Sequence, residues 1–223
     1  MRVIISFLIL IFIKTFSKVF YKLEKNWISD IKSFKKIRII IFLHHTSLYE
    51  PLFVSAAPTW FLWRLARKMV APGADKTLKR PIVGPFWKFM FPGLISITRQ
   101  RDKSWKEFLQ AIKNRSVIVI APEGRMKREG GLDSTGRPMS VRSGIAEIIT
   151  ELNEGRMLIV YSGGLHHVQH PGELIPRLFK TIKANLEVIE ITDYKSSFIE
   201  TQGLQFRKDI VADLQKRMQT NCP

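Results

Sequence analysis

Short runs of isoleucine, valine and leucine recur along the chain and alternate with stretches that have the spacing of helices. Each run is apolar nearly throughout, which is typical of a strand that is covered on both faces. The predicted strands span residues 38–43, 94–98, 117–121, 157–161 and 186–191. This alternation predicts an α/β fold, with a mixed, mostly parallel sheet flanked by helices.

Three helices are predicted between and after these strands. Ser104 precedes Glu107 by three residues, and this capping-box pattern opens a helix that runs to about residue 114. A second helix is predicted over residues 143–153, where a nearby glycine ends it, and an amphipathic helix is predicted over residues 206–218. The basic, glycine-containing segment 127–138 is predicted as a long loop.

The N-terminus carries an unbroken apolar run over residues 3–13. This run is shorter than the roughly 20 residues that a helix needs to span a bilayer. The lysines that follow at helical spacing are Lys14, Lys18, Lys22 and Lys25. An apolar segment followed by a basic amphipathic one predicts a helix associated with an anionic membrane face. The chain is therefore divided into a membrane-associated helical segment, 1–25, and an α/β domain, 26–223; an ordinary buried first helix is the alternative.

Positive charge dominates the composition, because 36 lysines and arginines against 19 aspartates and glutamates leave a formal net charge of +17. Such a surface attracts phosphate on nucleic acid, on anionic lipid or on a small substrate. The N-terminal segment favours lipid, so we expect an anionic membrane surface at the cytoplasmic face as the partner, and no nucleic acid. Cys222 is the only cysteine, which excludes an intramolecular disulfide and a cysteine-rich metal site.

Two further clusters receive structural interpretations. An aromatic and basic stripe at helical spacing comprises Trp60, Trp63, Arg64, Arg67 and Lys68. We interpret it as core packing or as a face at the membrane interface, since tryptophan and arginine suit the headgroup layer. A histidine cluster comprises His166, His167 and His170. Because no carboxylate or cysteine stands at convincing ligand spacing, this segment is predicted as a solvated loop and not as a metal site.

The first predicted strand ends in two histidines, and Glu50 follows the second of them by five residues. Pro51 disfavours α conformation at Glu50 and suits the first position of a helix, so Glu50 marks the start of the next helix. His45 belongs to the loop in between. Reacting groups gather in such loops at the carboxyl ends of strands. We predict that Glu50 accepts a hydrogen bond from one imidazole nitrogen while the other nitrogen faces a cleft as a base.

Four blocks in order resemble the sequence boxes of the glycerolipid acyltransferases, which include the lysophospholipid and 1-acylglycerol-3-phosphate acyltransferases. The first block, HTSLYE at 45–50, resembles H-x4-D, and the second, GLISITR at 93–99, resembles G-x-x-F-I-x-R. The third, APEG at 121–124, resembles the Pro-Glu-Gly core of the third box, and the fourth, VRSGIA at 141–146, resembles F-K-x-G-x-x. Ser47 also matches the serine of the fuller first box, N-H-x-S-x-x-D. The resemblance extends over residues 38–162.

The resemblance implies a reaction. An acyl thioester, carried on coenzyme A or on acyl carrier protein, would donate its acyl group to a hydroxyl of a lysophospholipid or related lipid. His45 would take the hydroxyl proton and Glu50 would hold the imidazole, with no metal and no other cofactor. The residues implied for substrate binding are Ser47, Gly93, Arg99, Glu123, Gly124 and Arg125. Among these an arginine offers a planar fork that meets phosphate oxygens two at a time.

The chain departs from the family pattern at two site positions. Glu50 stands where an aspartate is usual, and Arg125 comes one place earlier than the usual arginine, so Lys127 or Arg128 is expected to share its role. Two alternatives therefore stay open: acylation of a non-glycerol lipid, or a non-catalytic basic protein that binds anionic lipid on the same scaffold. The pair of His45 and Glu50 favours the enzyme, because a pure lipid binder needs no base.

Overall fold

The structure is a computed structural model that describes most of the chain. The described residues are 1–81, 83–98, 102–112, 116–128, 130–133, 135–170, 173, 175–198 and 203–223. Within them the strands form a mixed sheet that is covered on both faces by helices.

Seven strands of the described residues form this sheet, in the order β1-β7-β6-β2-β5-β3-β4. Their bounds are β1 Tyr21–Trp27, β2 Ile37–Leu43, β3 Met69–Ala74, β4 Leu94–Ile97, β5 Val117–Ile120, β6 Arg156–Ser162 and β7 Lys180–Glu190. Neighbouring strands are parallel except for β6 and β7, which are antiparallel. The prediction of a mixed, mostly parallel sheet flanked by helices is confirmed.

The helices lie between and around these strands. Their bounds are α1 Arg2–Phe20, α2 Thr59–Lys68, α3 Asp75–Leu78, α4 Val83–Met90, α5 Lys103–Ala111, α6 Gly144–Glu151, α7 Ile191–Ser196 and α8 Gly203–Asn221. A 3₁₀ helix, Glu50–Ala56, follows the loop after β2. The three predicted helices correspond to α5, α6 and α8, and the predicted end of the first, near residue 114, lies outside the described residues.

Strand β2 shows why the predicted strands are apolar nearly throughout. Ile39 and Ile41 are fully buried on one face of the sheet, in a core shared with α5, α6 and α8. Ile37 and Ile40 belong to a second core on the other face, which α1, α2 and the 3₁₀ helix cover. From Ile39 to Leu43 the strand is covered on both faces and has no polar position, so this part of its sequence is a continuous apolar run.

Two strands lie where none was predicted, and a third is longer than expected. Strand β3 contains Pro72 and Gly73, residues that usually interrupt strands, yet it pairs with both β4 and β5. Strand β1 lies at the edge of the sheet and most of its polar side chains face solvent, so it lacks an apolar run. Strand β7 begins at Lys180, well before the predicted start at residue 186. The prediction missed its first half because solvent-facing lysines interrupt the apolar pattern there.

The N-terminal helical segment predicted over residues 1–25 is shorter in the structure. Helix α1 ends at Phe20, and the chain continues directly into β1, which pairs with β7. Lys22 and Lys25 therefore lie on a strand, and the four lysines predicted to gather on one side of a helix do not share a helix. Helix α1 ends at Phe20 because the edge of β7 offers backbone hydrogen bonds to the residues that follow. These bonds stabilise the extended conformation of β1, although the lysines have helical spacing.

Helix α1 packs against the body of the protein along one face. Leu10 of α1 is buried on this face, and the hydroxyl of Ser17 donates to the carbonyl oxygen of Leu52 at 2.9 Å. The ammonium of Lys14 donates to the carbonyl oxygen of Ala57 at 2.6 Å. Among the described residues, α1 is the one helix long and apolar enough to cross a membrane. The packed face shows that α1 is also an integral part of one hydrophobic core.

Candidate active site

The loop after β2 brings His45 and Glu50 into contact. Strand β2 ends at Leu43, and His44 adopts a left-handed backbone conformation, with φ of 67°, that turns the chain away from the sheet. The 3₁₀ helix begins at Glu50 with Pro51 in its first turn, as the proline predicts. The loop between folds back so that Nδ1 of His45 lies 2.8 Å from Oε1 of Glu50. The same carboxylate oxygen accepts from the backbone N–H of Ser47 at 3.2 Å.

Burial and charge act in opposite directions on His45. Its side chain is 18% exposed and that of Glu50 is 9% exposed. Burial lowers the pKa of His45, but the charge and hydrogen bond of Glu50, together with the charge of Glu123, outweigh it, so the pKa is raised above its usual value. With Nδ1–H donated to Glu50, the lone pair of the imidazole is carried by Nε2, which is the arrangement of an oriented base.

The Pro-Glu-Gly turn after β5 lies directly against this loop. Glu123 is only 1% exposed, and its carboxylate accepts from the backbone N–H groups of His44, at 2.6 Å, and of His45, at 3.1 Å. The backbone N–H of Lys127 donates to the carbonyl oxygen of His45 at 2.8 Å. Gly124 turns the chain between these contacts with φ of 67°, a conformation that glycine adopts readily. The first and third boxes are therefore one structural unit.

Strand β6 holds the same loop from its other side. Nδ1 of His44 lies 3.0 Å from the carbonyl oxygen of Ser162, and the hydroxyl of Thr46 accepts from the backbone N–H of Leu165 at 2.7 Å. Burial lowers the pKa of His44, and the contact with Ser162 opposes this in part. Sequence reasoning missed His44, Thr46 and Ser162 as supports of the site. No spacing links residue 46 to residue 165, so only the pairing of β2 with β6 reveals the contact.

Three other residues that the sequence predicted for substrate binding are Ser47, Gly93 and Arg99. Ser47 is buried, and its hydroxyl accepts from the backbone N–H of Tyr49 at 3.2 Å, within the loop itself. Gly93 precedes β4 and lies so close to β3 that a Cβ atom there would approach the carbonyl oxygen of Met69 to 1.8 Å. Arg99 lies outside the described residues.

Arg125 is engaged by an internal partner. Its guanidinium forms an ion pair with Asp133 and donates to the hydroxyl of Thr135 at 2.9 Å. Hydrogen bonds from the Thr135 hydroxyl, from the backbone N–H groups of Arg137 and Thr135 and from Arg125 outweigh burial and hold the pKa of Asp133 well below its usual range. Asp133 lies within the long loop predicted over 127–138, and among the described residues of that loop an isolated bridge joins Leu132 to Pro138.

A cleft of about 1100 Å³ opens beside His45, Glu50 and Glu123. One part of its wall is apolar and comes from the sheet, the 3₁₀ helix, α2 and α1; it includes Leu10, Phe42, Phe53, Leu65, Val160 and Leu186. Another part is basic and includes Arg80, Arg125, Arg128, Arg137 and Arg142. The imidazole and carboxylate thus line a cleft that offers both an apolar and a cationic wall, which suits an amphipathic ligand that carries phosphate.

The part of the chain that the structure describes contains no group of three or more His, Cys, Asp or Glu side chains that could hold a metal ion. The rings of His166 and His170 stack at 5.9 Å between centroids. His167 is exposed, and its Nε2 lies 2.5 Å from the carbonyl oxygen of Thr181.

The class of this protein follows from comparison with known protein families. The family model described as "Acyltransferase" matches residues 25–166, more than half of the chain. The chain belongs to this family, and the relationship to the glycerolipid acyltransferases predicted from the four boxes is confirmed.

A solved structure shares this fold. The crystal structure of the 1-acyl-sn-glycerophosphate (LPA) acyltransferase PlsC from Thermotoga maritima superimposes with a TM-score of 0.55 at 16% sequence identity. The similarity covers 93% of this chain and 77% of that one. At this level of identity the likeness concerns the fold. Comparison with curated protein sequences finds no match.

Proposed function

We propose that this acyltransferase is membrane-associated and moves a fatty acyl group from an acyl thioester to a hydroxyl of a lysophospholipid. The observation that carries the proposal is the 2.8 Å contact of His45 with Glu50 on the wall of a cleft that is apolar on one part and lined with arginines on another. An acyl chain needs an apolar wall, a phosphate needs cations, and a hydroxyl needs a base.

The proposed reaction uses His45 as a general base. Its Nε2 takes the proton of the acceptor hydroxyl while the oxygen attacks the thioester carbonyl. The carbon–sulfur bond then breaks, and the leaving thiolate takes the proton back from the imidazolium, so the products are an ester and a free thiol. Glu50 stabilises the imidazolium between these steps. Base catalysis of this kind contributes about 10²–10⁴ in rate, and holding two substrates together contributes up to about 7–11 kcal/mol.

The cleft wall suggests how the acceptor is oriented. Arg128, Arg137 and Arg142 are exposed and line the cleft, so we assign the acceptor phosphate to them. Arg125 is already neutralised by Asp133 and is a weaker candidate. The acyl chain is assigned to the apolar wall beneath α1. Either coenzyme A or acyl carrier protein carries the thioester in this scheme.

The outer face of α1 supports the proposed membrane association. Its exposed apolar side chains are Ile4, Leu8, Phe12 and Val19. Trp60 and Trp63 of α2 are also partly exposed, and Trp63 packs edge-on against Phe7 of α1. Because the inner face of α1 is packed on the body, we propose that α1 lies along an anionic membrane surface, at the cytoplasmic face, and does not span it.

The proposal is tested with purified protein in detergent. Palmitoyl-coenzyme A and palmitoyl-acyl carrier protein are each offered with a panel of lysophospholipids and a sugar-based acceptor lipid, and the products are identified by mass spectrometry. His45→Ala is compared with His167→Ala, a matched histidine change outside the cleft. A diacyl product that His45→Ala abolishes and His167→Ala retains is expected. Folded protein that binds anionic vesicles but acylates no acceptor would instead favour the non-catalytic lipid binder.

A further inference from the structure

Both oxygens of the Glu123 carboxylate accept hydrogen bonds from the backbone of the loop that carries His45. Oε1 accepts from the N–H of His44 at 2.6 Å and from the N–H of His45 at 3.2 Å, and Oε2 accepts from the N–H of His45 at 3.1 Å. These three contacts come from two N–H groups, since the N–H of His45 is shared between the two oxygens, and they engage both oxygens of the carboxylate. Although Glu123 borders the cleft, its side chain is only 1% exposed.

The loop requires such an acceptor. The ladder between β2 and β6 ends at Leu43 and Tyr161, so the N–H groups of His44 and His45 lie beyond the last strand pair. Buried N–H groups without an acceptor are costly. The left-handed conformation of His44, with φ of 67°, adds strain that the surroundings must hold in place. Glu123 satisfies both N–H groups, and the N–H of Lys127 holds the carbonyl oxygen of His45.

We propose that Glu123 is a positioning residue, which fixes the backbone of His45 from the third box, and that it does not bind the acceptor lipid. The inference rests on the proposed function, because His45 is the base in both. The geometry explains why the Pro-Glu-Gly turn must accompany the first box in this chain: the peptide unit that carries the base is clamped by a carboxylate from a different strand end. An error of about 1 Å in the position of a base costs about 10²-fold in rate.

The charge of Glu123 provides an independent signature. It acts in the same direction as that of Glu50 and helps to raise the pKa of His45. Removing the charge therefore lowers the pKa of the base, and the acidic limb of the kcat/KM profile moves to lower pH. A residue that only contacted the phosphate-bearing acceptor would alter the KM of the acceptor instead.

The test compares Glu123→Gln and Glu123→Asp with wild type. Glutamine keeps the size but offers one oxygen, so its amide N–H₂ faces the backbone N–H groups; aspartate keeps the charge but is one methylene shorter. We expect kcat to fall by about 10²-fold in Glu123→Gln, with the KM of the acceptor unchanged. The acidic limb of the kcat/KM profile should move to lower pH. We expect Glu123→Asp to lose kcat without that displacement. Glu187→Gln is the matched control, because this partly buried carboxylate is bonded to Arg217 and lies outside the cleft.

A second readout does not depend on activity. Hydrogen exchange followed by mass spectrometry measures the protection of the backbone amides of His44 and His45. In Glu123→Gln we expect these amides to exchange about 10-fold faster or more, while the rest of the described sheet keeps its protection. An increase in the KM of the acceptor at unchanged kcat, or unchanged protection of the two amides, overturns the positioning role. If wild type acylates no acceptor, the proposed function fails, and the exchange measurement alone still decides whether Glu123 clamps the loop.

Discussion

The substitution Glu50→Gln tests whether this carboxylate acts through His45. Glutamine has the same shape, and its side-chain oxygen can still accept from Nδ1–H of His45 and from the N–H of Ser47, at the 2.8 and 3.2 Å seen for Glu50. The change therefore keeps the orientation of the imidazole and removes only the negative charge. Because the pair is mostly buried, solvent does not replace that charge.

The lost interaction belongs to the transition state. In the proposed reaction His45 becomes a cation only when it takes the proton. At that moment wild type holds an ion pair between His45 and Glu50, whereas in Glu50→Gln the cation donates to a neutral amide oxygen. Hydrogen bonds to charged groups contribute about 1.5–3 kcal/mol, and a loss of this size lowers kcat by about 10- to 150-fold. The KM of the acceptor should hardly change, since the ground state holds a neutral imidazole.

The substitution Glu50→Gln should also shift the pH profile of the reaction. The charge of Glu50 helps to raise the pKa of His45, so its removal lowers that pKa. The base must be neutral to accept a proton, and activity therefore falls as the pH drops below the pKa of His45. In Glu50→Gln the acidic limb of kcat/KM should move to lower pH. Initial rates of diacyl product formation across the pH range, measured by mass spectrometry, test this.

Two comparisons make the interpretation strict. Glu50→Asp retains the charge that Glu50→Gln removes, and it should keep the acidic limb near its wild-type position. In the double variant His45→Ala with Glu50→Gln, the second change should add almost nothing, because residues that act as a unit are not additive. Glu50→Gln with wild-type kcat and an unmoved acidic limb would refute the assignment of Glu50 as the partner of the base.

Three other perturbations address the fold and the membrane face. Gly93→Ala should destabilise the protein by about 1–3 kcal/mol, which corresponds to a fall in Tm of roughly 2–12 °C, because a Cβ atom there would lie 1.8 Å from the carbonyl oxygen of Met69. Gly130→Ala is the control: this position has open space around it, so Tm should not change. The pKa of His45 is raised in the fold, so its pair with Glu50 stabilises the protein fully below the ordinary value of 6.5 and loses this contribution as the pH rises through the folded pKa. The unfolding free energy of wild type minus that of Glu50→Gln should therefore be larger at about pH 6 than at about pH 9; equal differences would contradict the raised pKa. Phe12→Asp should weaken sedimentation with anionic vesicles, and Leu204→Asp, an equally exposed apolar residue on α8, should not; equal losses would argue against α1 as the docking face.

The sequence determined the parts of the protein that depend on neighbours along the chain. Apolar runs show which segments are buried on both faces, so the central strands β2, β5 and β6 were predicted to within a residue or so of their ends. The contact between His45 and Glu50 spans five residues, and Pro51 restricts the local backbone, so the pair could be predicted from the loop alone. The four ordered boxes were enough for the family.

Tertiary structure decided the contacts that no spacing records. The carboxylate of Glu123 accepts from the N–H of His44, 79 residues away in the sequence. Asp133 forms an ion pair with Arg125, whereas the resemblance of the third box implied that this arginine binds phosphate. The edge strand β1 and the proline-containing β3 form because neighbouring strands offer them hydrogen bonds, although neither carries an apolar run. Hydrophobic periodicity reports whether a segment is buried, but the partner of a backbone N–H or of a charge depends on which strand ends the folded sheet brings together. The contact of His45 with Glu50 could therefore be predicted from the sequence, whereas the contacts of Glu123 with this loop are seen only in the fold.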